Sequence, residues 1–271
     1  MGRPIALVFR GESTEQDDDL AEPLAEFLRK SPRHFKVRIV GPNEDEDLDE
    51  DSLEDADLLA MPGGPDLDDA FDETKGAKRA IRNFVSDGGR YFGVCLGAYL
   101  AGHSPGFGLL PKGADTDSEC EQKGAQVTND EDAIIQVDWT YSHGEKAGQT
   151  HKDQWIFFQE GPCIKGFEES DTSFILGRYS KDGRIASTLS KFGDGWVGLI
   201  GPHPEADQSW FDDAELEAPQ GLRYDIGFDL LESLMSGHAI RREEASAMSH
   251  GHKGLSDRMG GAFDKIRDLA R

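Results

Sequence analysis

The sequence has few cysteines and no long apolar run. Its three cysteines, Cys95, Cys120 and Cys163, form no CxxC pair, so neither a structural zinc site nor a disulfide scaffold is indicated. So little cysteine is typical of a reducing compartment. No segment approaches the roughly 18 consecutive apolar residues of a membrane-spanning helix, and the first residues lack the apolar core of a signal peptide. We therefore predict a cytoplasmic protein.

Positive charge is also scarce. The chain of 271 residues has 29 Lys and Arg against 53 Asp and Glu, which gives a formal net charge of -24. Such a field repels phosphates and argues against nucleic acids and anionic membranes as partners. The acidic clusters Asp17–Asp19 and Glu44–Asp51 are typical of solvated loops. This surface suits a high-salt cytoplasm, where counterions screen carboxylate repulsion, and an acidic mesophilic protein fits nearly as well.

Strand-like and helix-like segments alternate through the first hundred residues. Short apolar runs predict strands, and segments with apolar residues at helical spacing predict helices. The strands are Pro4–Arg10, Phe35–Val40, Leu58–Met61 and Tyr91–Val94, and the helical segments are Leu20–Leu28, Ala77–Val85 and a turn near Ser52–Asp55. This alternation predicts an α/β fold with a parallel sheet and crossover helices.

After Gly102 the pattern changes to strands separated by Gly, Asp and Lys turns. These strands are Ala133–Trp139, Gln154–Phe158, Phe174–Tyr179 and Arg184–Phe192. The Asp-Gly pair at Lys181–Arg184 predicts a hairpin, and the group as a whole predicts antiparallel additions to the edge of the parallel sheet.

The last predicted elements are a buried strand at Trp196–Gly201 and a helix at Leu222–Met235, which ends at Ser236-Gly237. We predict one domain over residues 1–236. Residues 237–271 are predicted to form a polar C-terminal tail with a weakly amphipathic helical run at Met259–Leu269.

The stretch Gly93-Val94-Cys95-Leu96-Gly97 predicts a sharp turn from strand to helix with a cysteine at its centre. Glycines on both sides of Cys95 relieve the crowding of such an elbow. The turn brings Cys95 to the carboxyl edge of the sheet, where open α/β proteins keep their sites. The N–H groups of the following helix favour a thiolate. Cys95 is therefore the predicted nucleophile, whereas Cys120 and Cys163 lack this context.

A glycine-rich turn, Pro62-Gly63-Gly64-Pro65, follows the third predicted strand. Its glycines allow an N–H group of Gly63 or Gly64 to approach a developing oxyanion, with the N–H of Leu96 as the second donor. Asp66 comes directly after this turn. We predict that it either touches the substrate or caps a following turn.

A third motif, His203-Pro204-Glu205, follows the buried strand at Trp196–Gly201. Glu205 is predicted to orient and charge the imidazole of His203, which would protonate a leaving amine. Together with Cys95 and the oxyanion donors, this pair completes the groups that acyl transfer through a thioester requires.

The three motifs together resemble the class I glutamine amidotransferase-like superfamily, whose elbow reads G-x-C-x-G and whose base and carboxylate stand as H-x-E. Further stretches are similar, more narrowly, to the biotin-protein ligase N-terminal domain family. They are Gly97-Ala98-Tyr99 in the elbow, Gly88-Gly89-Arg90-Tyr91-Phe92-Gly93 before it, and Phe157-Phe158-Gln159-Glu160-Gly161-Pro162. The resemblance covers Pro4–Leu234.

This resemblance implies a flavodoxin-like three-layer sandwich with a mostly parallel central sheet and antiparallel edge strands. It also implies that Cys95, His203 and Glu205 occupy the positions of a catalytic triad. Glutamine-hydrolysing members usually have Gln two residues after the second elbow glycine, where this chain has Tyr99. Tyr99 is therefore a candidate substrate-binding residue that argues against glutamine as the substrate. No Gly-Arg-Gly-x-x-Gly motif of a biotin ligase is present, so biotin ligation is not expected.

Two functions are compatible with these features. The first is a cysteine-dependent amidase or amidotransferase-like hydrolase that acts on a small amide through a Cys95 thioester, without a metal or other cofactor. The alternative is a non-catalytic ligand-binding or regulatory module of the same fold. Besides the small-molecule substrate, the candidate partners are a partner enzyme and a second copy of the chain.

Overall fold

The computed structural model describes residues 2–12 and 19–247. The strands of this part of the chain are β1 (Ile5–Phe9), β2 (Lys36–Val40), β3 (Leu58–Met61), β4 (Arg90–Val94), β5 (Asp115–Ser118), β6 (Ala133–Thr140), β7 (Thr150–Phe158), β8 (Pro162–Lys165), β9 (Ser173–Tyr179), β10 (Ile185–Phe192) and β11 (Gly195–Ile200). The helices are α1 (Ala21–Lys30), α2 (Glu50–Glu54), α3 (Leu67–Thr74), α4 (Lys78–Ser86), α5 (Leu96–Leu100), α6 (Gln208–Asp213) and α7 (Tyr224–Ser236).

The described strands form one mixed sheet of 11 strands, with the order β2-β1-β3-β4-β11-β10-β9-β6-β7. Strand β8 pairs with β10, and β5 pairs with β8 beside this path. The strands from β2 to β11 in this order are parallel, and β10, β9, β6 and β7 continue the sheet in antiparallel pairs. The predicted α/β sandwich, with a parallel core and antiparallel edge strands, is therefore confirmed.

Helices cover both faces of the parallel half of the sheet. Along β1, Ala6 and Val8 belong to the core that also contains residues of α1 and α7. The alternate residues Leu7 and Phe9 belong to the core with residues of α2, α3, α4 and α5. Strands buried on both faces are expected to be short and apolar throughout, which is why β1, β3 and β4 are recognisable as continuous apolar runs in the sequence.

Four elements are not recognisable from apolar periodicity: α3, α6, β5 and β8. Helix α3 has an acidic sequence and buries only Ala70 and Thr74, so no apolar stripe marks it. Strand β5 consists of polar residues, all partly exposed. Such elements are held by local capping and by pairing with partners distant in sequence, which a periodicity argument does not detect.

Helix α7 ends as predicted, at Gly237 with φ of 67°, in the left-handed region that favours glycine. In the segment predicted as a tail, Ala239 and Ala245 are buried. The predicted helical run Met259–Leu269 lies outside the described residues, so the predicted domain division stays a prediction. No helix in the described part of the chain is both long and apolar enough to cross a membrane.

Candidate active site

Three neighbouring parallel strands bring the three sequence motifs to one edge of the sheet. Near the carboxyl ends, Met61 of β3 pairs with Gly93 of β4, and Val94 of β4 pairs with Ile200 of β11. The glycine turn, the Cys95 elbow and the His203 segment therefore leave the sheet side by side. This is the edge where open α/β proteins bind ligands.

Cys95 lies in a strained backbone conformation at the elbow, with φ of 50° and ψ of -110°. Non-glycine residues rarely adopt such a conformation, and it persists only when surrounding contacts enforce it. The Cys95 N–H donates to the Ile200 carbonyl at 2.9 Å, and the Gly97 N–H donates to the Pro62 carbonyl at 2.9 Å. These bonds tie the elbow to the ends of β11 and β3. Leu96 is the first residue of α5, so its N–H has no acceptor within the helix.

His203 and Glu205 form a buried pair. The distance from His203 Nδ1 to Glu205 Oε1 is 2.8 Å, and the two residues are only 3% and 1% exposed. The His203 N–H also donates to the Phe157 carbonyl at 2.9 Å, and the Trp210 ring lies 5.2 Å from the imidazole centroid. These contacts hold the imidazole in one orientation.

The environment of His203 favours its protonated form. Burial alone would lower the pKa, but the charges of Glu205 and Cys95 and hydrogen bonds to both raise the pKa of His203 to about 10. His203 is therefore an imidazolium at neutral pH, placed between a carboxylate and the candidate nucleophile. This is the charge arrangement of activated Cys–His pairs.

A cavity of about 350 Å³ opens at this edge. Of the eight candidate residues, six line it: Gly64, Asp66, Cys95, Leu96, Tyr99 and His203. The other two lie behind the wall. Glu205 holds the far nitrogen of the imidazole, and Gly63 packs on the ring, where an added Cβ would lie 2.8 Å from His203 Cε1.

Residues after β7 form a wall of the cavity that the motifs did not identify as part of the site. The Cys95 thiol donates to the Gln159 carbonyl at 3.4 Å, and the Tyr99 hydroxyl donates to the Glu160 carbonyl at 2.9 Å. Both acceptors are main-chain atoms, which leave no residue-type signal in a sequence. Tyr99 thus lines the cavity, and its hydroxyl is bonded to the main chain.

Asp66 caps a helix, which is one of its two predicted roles. Its Oδ1 accepts from the Asp68 N–H at 2.8 Å and from the Asp69 N–H at 3.4 Å, at the start of α3. Because Asp66 also lines the cavity, capping does not exclude the other predicted role, contact with a substrate.

The two other cysteines differ from Cys95 in their environments. Burial and the charges of Glu160 and Glu119 raise the pKa of Cys120 to about 11. Burial and the charge of Glu119 raise the pKa of Cys163 to about 12. Both groups are therefore neutral, weakly nucleophilic thiols at neutral pH.

Glu119 is an unusual buried carboxyl group next to the cavity-lining residue Ser118. It is fully buried, and neither oxygen has a hydrogen-bond partner among the described residues. Arg184 Nη1 lies 3.6 Å from Oε1, which is too far for a hydrogen bond. Burial and the nearby carboxylate of Asp182 raise the pKa of Glu119 to about 8.

We expect Glu119→Gln to remove part of the pH dependence of folding. The folded protein holds a proton on Glu119 that the unfolded chain loses above its ordinary pKa of 4.5. Stability therefore falls as the pH rises from that value to about 8. When the pH is raised across this window, the unfolding free energy of the wild type should fall by about 2 kcal/mol or more beyond any fall seen in the variant. Urea unfolding measures this difference, with Glu121→Gln as the exposed control. Equal pH slopes for wild type and Glu119→Gln would contradict it.

Comparison with known proteins supports the resemblance noted in the sequence. A family model described as the N-terminal part of biotin-protein ligase matches residues 6–119. This range includes the glycine turn and the Cys95 elbow but ends before His203 and Glu205. The resemblance is thus confirmed over the range that carries the nucleophile motif. No curated protein matches the chain in sequence.

Solved structures with similar folds are distant in sequence. A GMP synthase component from Thermoplasma acidophilum has a TM-score of 0.52 at 15% identity, with 93% of this chain and 100% of that chain covered. PurLQS from Thermotoga maritima has a TM-score of 0.50 at 18% identity, with coverages of 87% and 99%. A ThuA-like protein from Bacteroides uniformis has a TM-score of 0.52 at 12% identity, with coverages of 87% and 91%. These likenesses show the glutamine amidotransferase-like fold.

Proposed function

We propose that this protein is a cysteine-dependent hydrolase that cleaves the C–N bond of a small amide through a thioester on Cys95. The observation that carries the proposal is the placement of Cys95 and His203 on one cavity, with Glu205 Oε1 2.8 Å from His203 Nδ1. A nucleophile, a base and a group that orients the base are the parts that such chemistry needs.

In the proposed reaction, the Cys95 thiolate attacks the amide carbon and an S–C bond forms, while the carbonyl electrons move onto oxygen. The N–H groups of Leu96 and of Gly64 or Gly63 donate to this oxyanion. When the intermediate collapses, the C–N bond breaks and His203 Nε2 gives its proton to the leaving amine. His203 then takes a proton from water as the water oxygen bonds to the thioester carbon; the S–C bond breaks, and the acid leaves while Cys95 is again a thiolate beside the protonated His203.

The size of the cavity and the presence of Tyr99 favour a small substrate other than glutamine. Tyr99 stands where glutamine-hydrolysing members of the superfamily usually have Gln, and its hydroxyl is bonded to the Glu160 carbonyl. The volume of about 350 Å³ suits a small molecule. One similar structure is described as a component of GMP synthase, and by analogy a partner enzyme would receive the released ammonia or amine.

One contact favours the alternative, a non-catalytic ligand-binding or regulatory module. The Cys95 thiol donates its proton to the Gln159 carbonyl, and a thiolate cannot make this bond. In a binding module the bond would persist, whereas in an enzyme it would break when the thiol ionises. The reactivity of Cys95 therefore separates the two functions.

Labelling with p-nitrophenyl acetate, followed by peptide mass spectrometry, tests the proposal. We expect acetylation of Cys95 at neutral pH to be at least about tenfold faster than acetylation of Cys120 or Cys163, whose thiols are neutral. His203→Ala should reduce the rate at Cys95 to that of the other two thiols. Cys120→Ser is the matched control and should leave labelling of Cys95 unchanged.

Equal and slow labelling of all three cysteines would contradict the proposed hydrolase and favour the binding module. Circular dichroism of each variant establishes that a lost reaction does not reflect a lost fold.

A further inference from the structure

The cavity beside Cys95 carries an excess of negative charge on its wall. Asp66, Glu121 and Glu160 line it, and no Lys or Arg is among the described residues that do so. Among the described lining residues His203 is the one cationic group, and its charge is balanced by Glu205, whose Oε1 lies 2.8 Å from His203 Nδ1 on the far side of the ring. A ligand in the cavity therefore meets uncompensated carboxylates.

These carboxylates are not neutralised by neighbouring side chains. Within residues 2–12 and 19–247, none of the three forms an ion pair. Arg10 pairs instead with Asp19, which directly precedes the cavity-lining residue Leu20, at 2.9 Å and with Glu44 at 2.7 Å. A ligand is thus left to supply the opposing charge.

Glu160 is held on the wall by its own main chain. The residue has φ of 45°, and its carbonyl accepts from the Tyr99 hydroxyl at 2.9 Å. Its charge also reaches the neighbouring Cys120 thiol, whose pKa it helps to raise. The exposed side chain of Glu160 therefore extends from a fixed point on the wall, where its charge can contribute to the selection of ligands.

We infer that the cavity selects substrates whose acyl part carries a positive charge, with Glu121 and Glu160 as the residues that determine this specificity. The inference rests on the proposed function, since it names the substrate class of the same site. A cationic group near these exposed carboxylates is attracted to them, whereas an anionic group is repelled. Substrates whose acyl part ends in a free carboxylate are therefore expected to react slowly.

Three p-nitrophenyl esters test the inference. Their acyl groups share a butanoyl stem and end in a trimethylammonium, a tert-butyl or a sulfonate group, so that charge changes while bulk is similar. The rate of Cys95 acylation, followed by p-nitrophenolate release, should be about tenfold higher for the cationic ester than for the tert-butyl ester. The sulfonate ester should be the slowest.

The same rates in charge variants assign the preference to particular residues. Glu121→Gln and Glu160→Gln should each reduce the ratio of the cationic to the sulfonate rate by about threefold or more. Glu54→Gln removes an exposed charge on α2, far along the chain from the site, and should leave the ratio unchanged. This control separates the cavity charges from the general field of an acidic protein.

The outcomes distinguish this inference from the proposed function. Equal rates of Cys95 acylation by all three esters would overturn the inference but not the proposed hydrolase function. So would a preference for the cationic ester that Glu121→Gln and Glu160→Gln both retain in full. Failure of every ester to react faster with the wild type than with Cys95→Ser would overturn both.

Discussion

Gly97→Ala is expected to lower the free energy of unfolding by about 3 kcal/mol or more, the largest stability effect that we predict for the elbow. An added Cβ would lie 2.0 Å from the Met61 carbonyl oxygen and 2.7 Å from its carbon. Both are main-chain atoms at the end of β3, so no side-chain rotation relieves the clash. The chain would have to separate β3 from the elbow and break the bond from the Gly97 N–H to the Pro62 carbonyl.

Urea unfolding followed by circular dichroism measures this effect, and Gly76→Ala is the matched control. Gly76 has nothing within 4 Å of a built Cβ, so its replacement should change the unfolding free energy by no more than about 0.5 kcal/mol. Equal stability of the two variants would show that the elbow yields to an added side chain. In that case the strained Cys95 backbone would not be enforced by packing at Gly97.

The sequence predicts the parallel half of the fold because those strands are buried on both faces. Continuous apolar runs such as Leu58–Met61 leave few alternatives to a central strand. The hairpin between β9 and β10 is equally visible, since Asp182 and Gly183 supply its turn and the Asp182 side chain accepts from the Arg184 N–H at 2.9 Å. These elements depend on local chemistry and burial, which residue types report directly.

Elements that depend on distant partners could not be predicted in this way. Strand β8 exists because Ile164 pairs with Ile185 of β10 and because residues of β5 pair on its other side. Helix α3 begins where Asp66 caps it, and a single capping residue is a weak signal without an apolar stripe. In both cases the tertiary contact, rather than the local pattern, decides the structure.

The candidate site shows the same division. Cys95 directly follows β4, and His203 and Glu205 follow β11, so the residue types and their place after predicted strands name them as candidates. The cavity wall at Gln159 and Glu160 acts through main-chain carbonyls, which any residue would supply. The raised pKa of Cys163 comes first from its burial and then from the charge of Glu119, which is distant in sequence, and therefore only the fold reveals it.

Glu205→Gln is expected to lower the rate of Cys95 acylation by about 100-fold or more while leaving the cavity in place. Gln has the same shape as Glu but lacks the charge that stabilises the buried imidazolium. Burial, which alone lowers the pKa of His203, is then opposed chiefly by Cys95. The imidazolium would lose its proton at a lower pH, and Cys95 would then lack the neighbouring positive charge that favours its thiolate.

The acylation rate of Glu205→Gln should also depend on pH differently from that of the wild type. In the wild type, the pKa of His203 is raised from 6.5 to about 10, so the stabilising charge pair is present at and below neutral pH and is lost as the pH rises toward 10. The alkaline limb of the acylation rate should therefore move to lower pH in Glu205→Gln. Acylation by p-nitrophenyl acetate across the pH range measures the limb, and Glu54→Gln should match the wild type. An alkaline limb that stays in place in Glu205→Gln would mean that Glu205 does not charge His203, even if the rate falls.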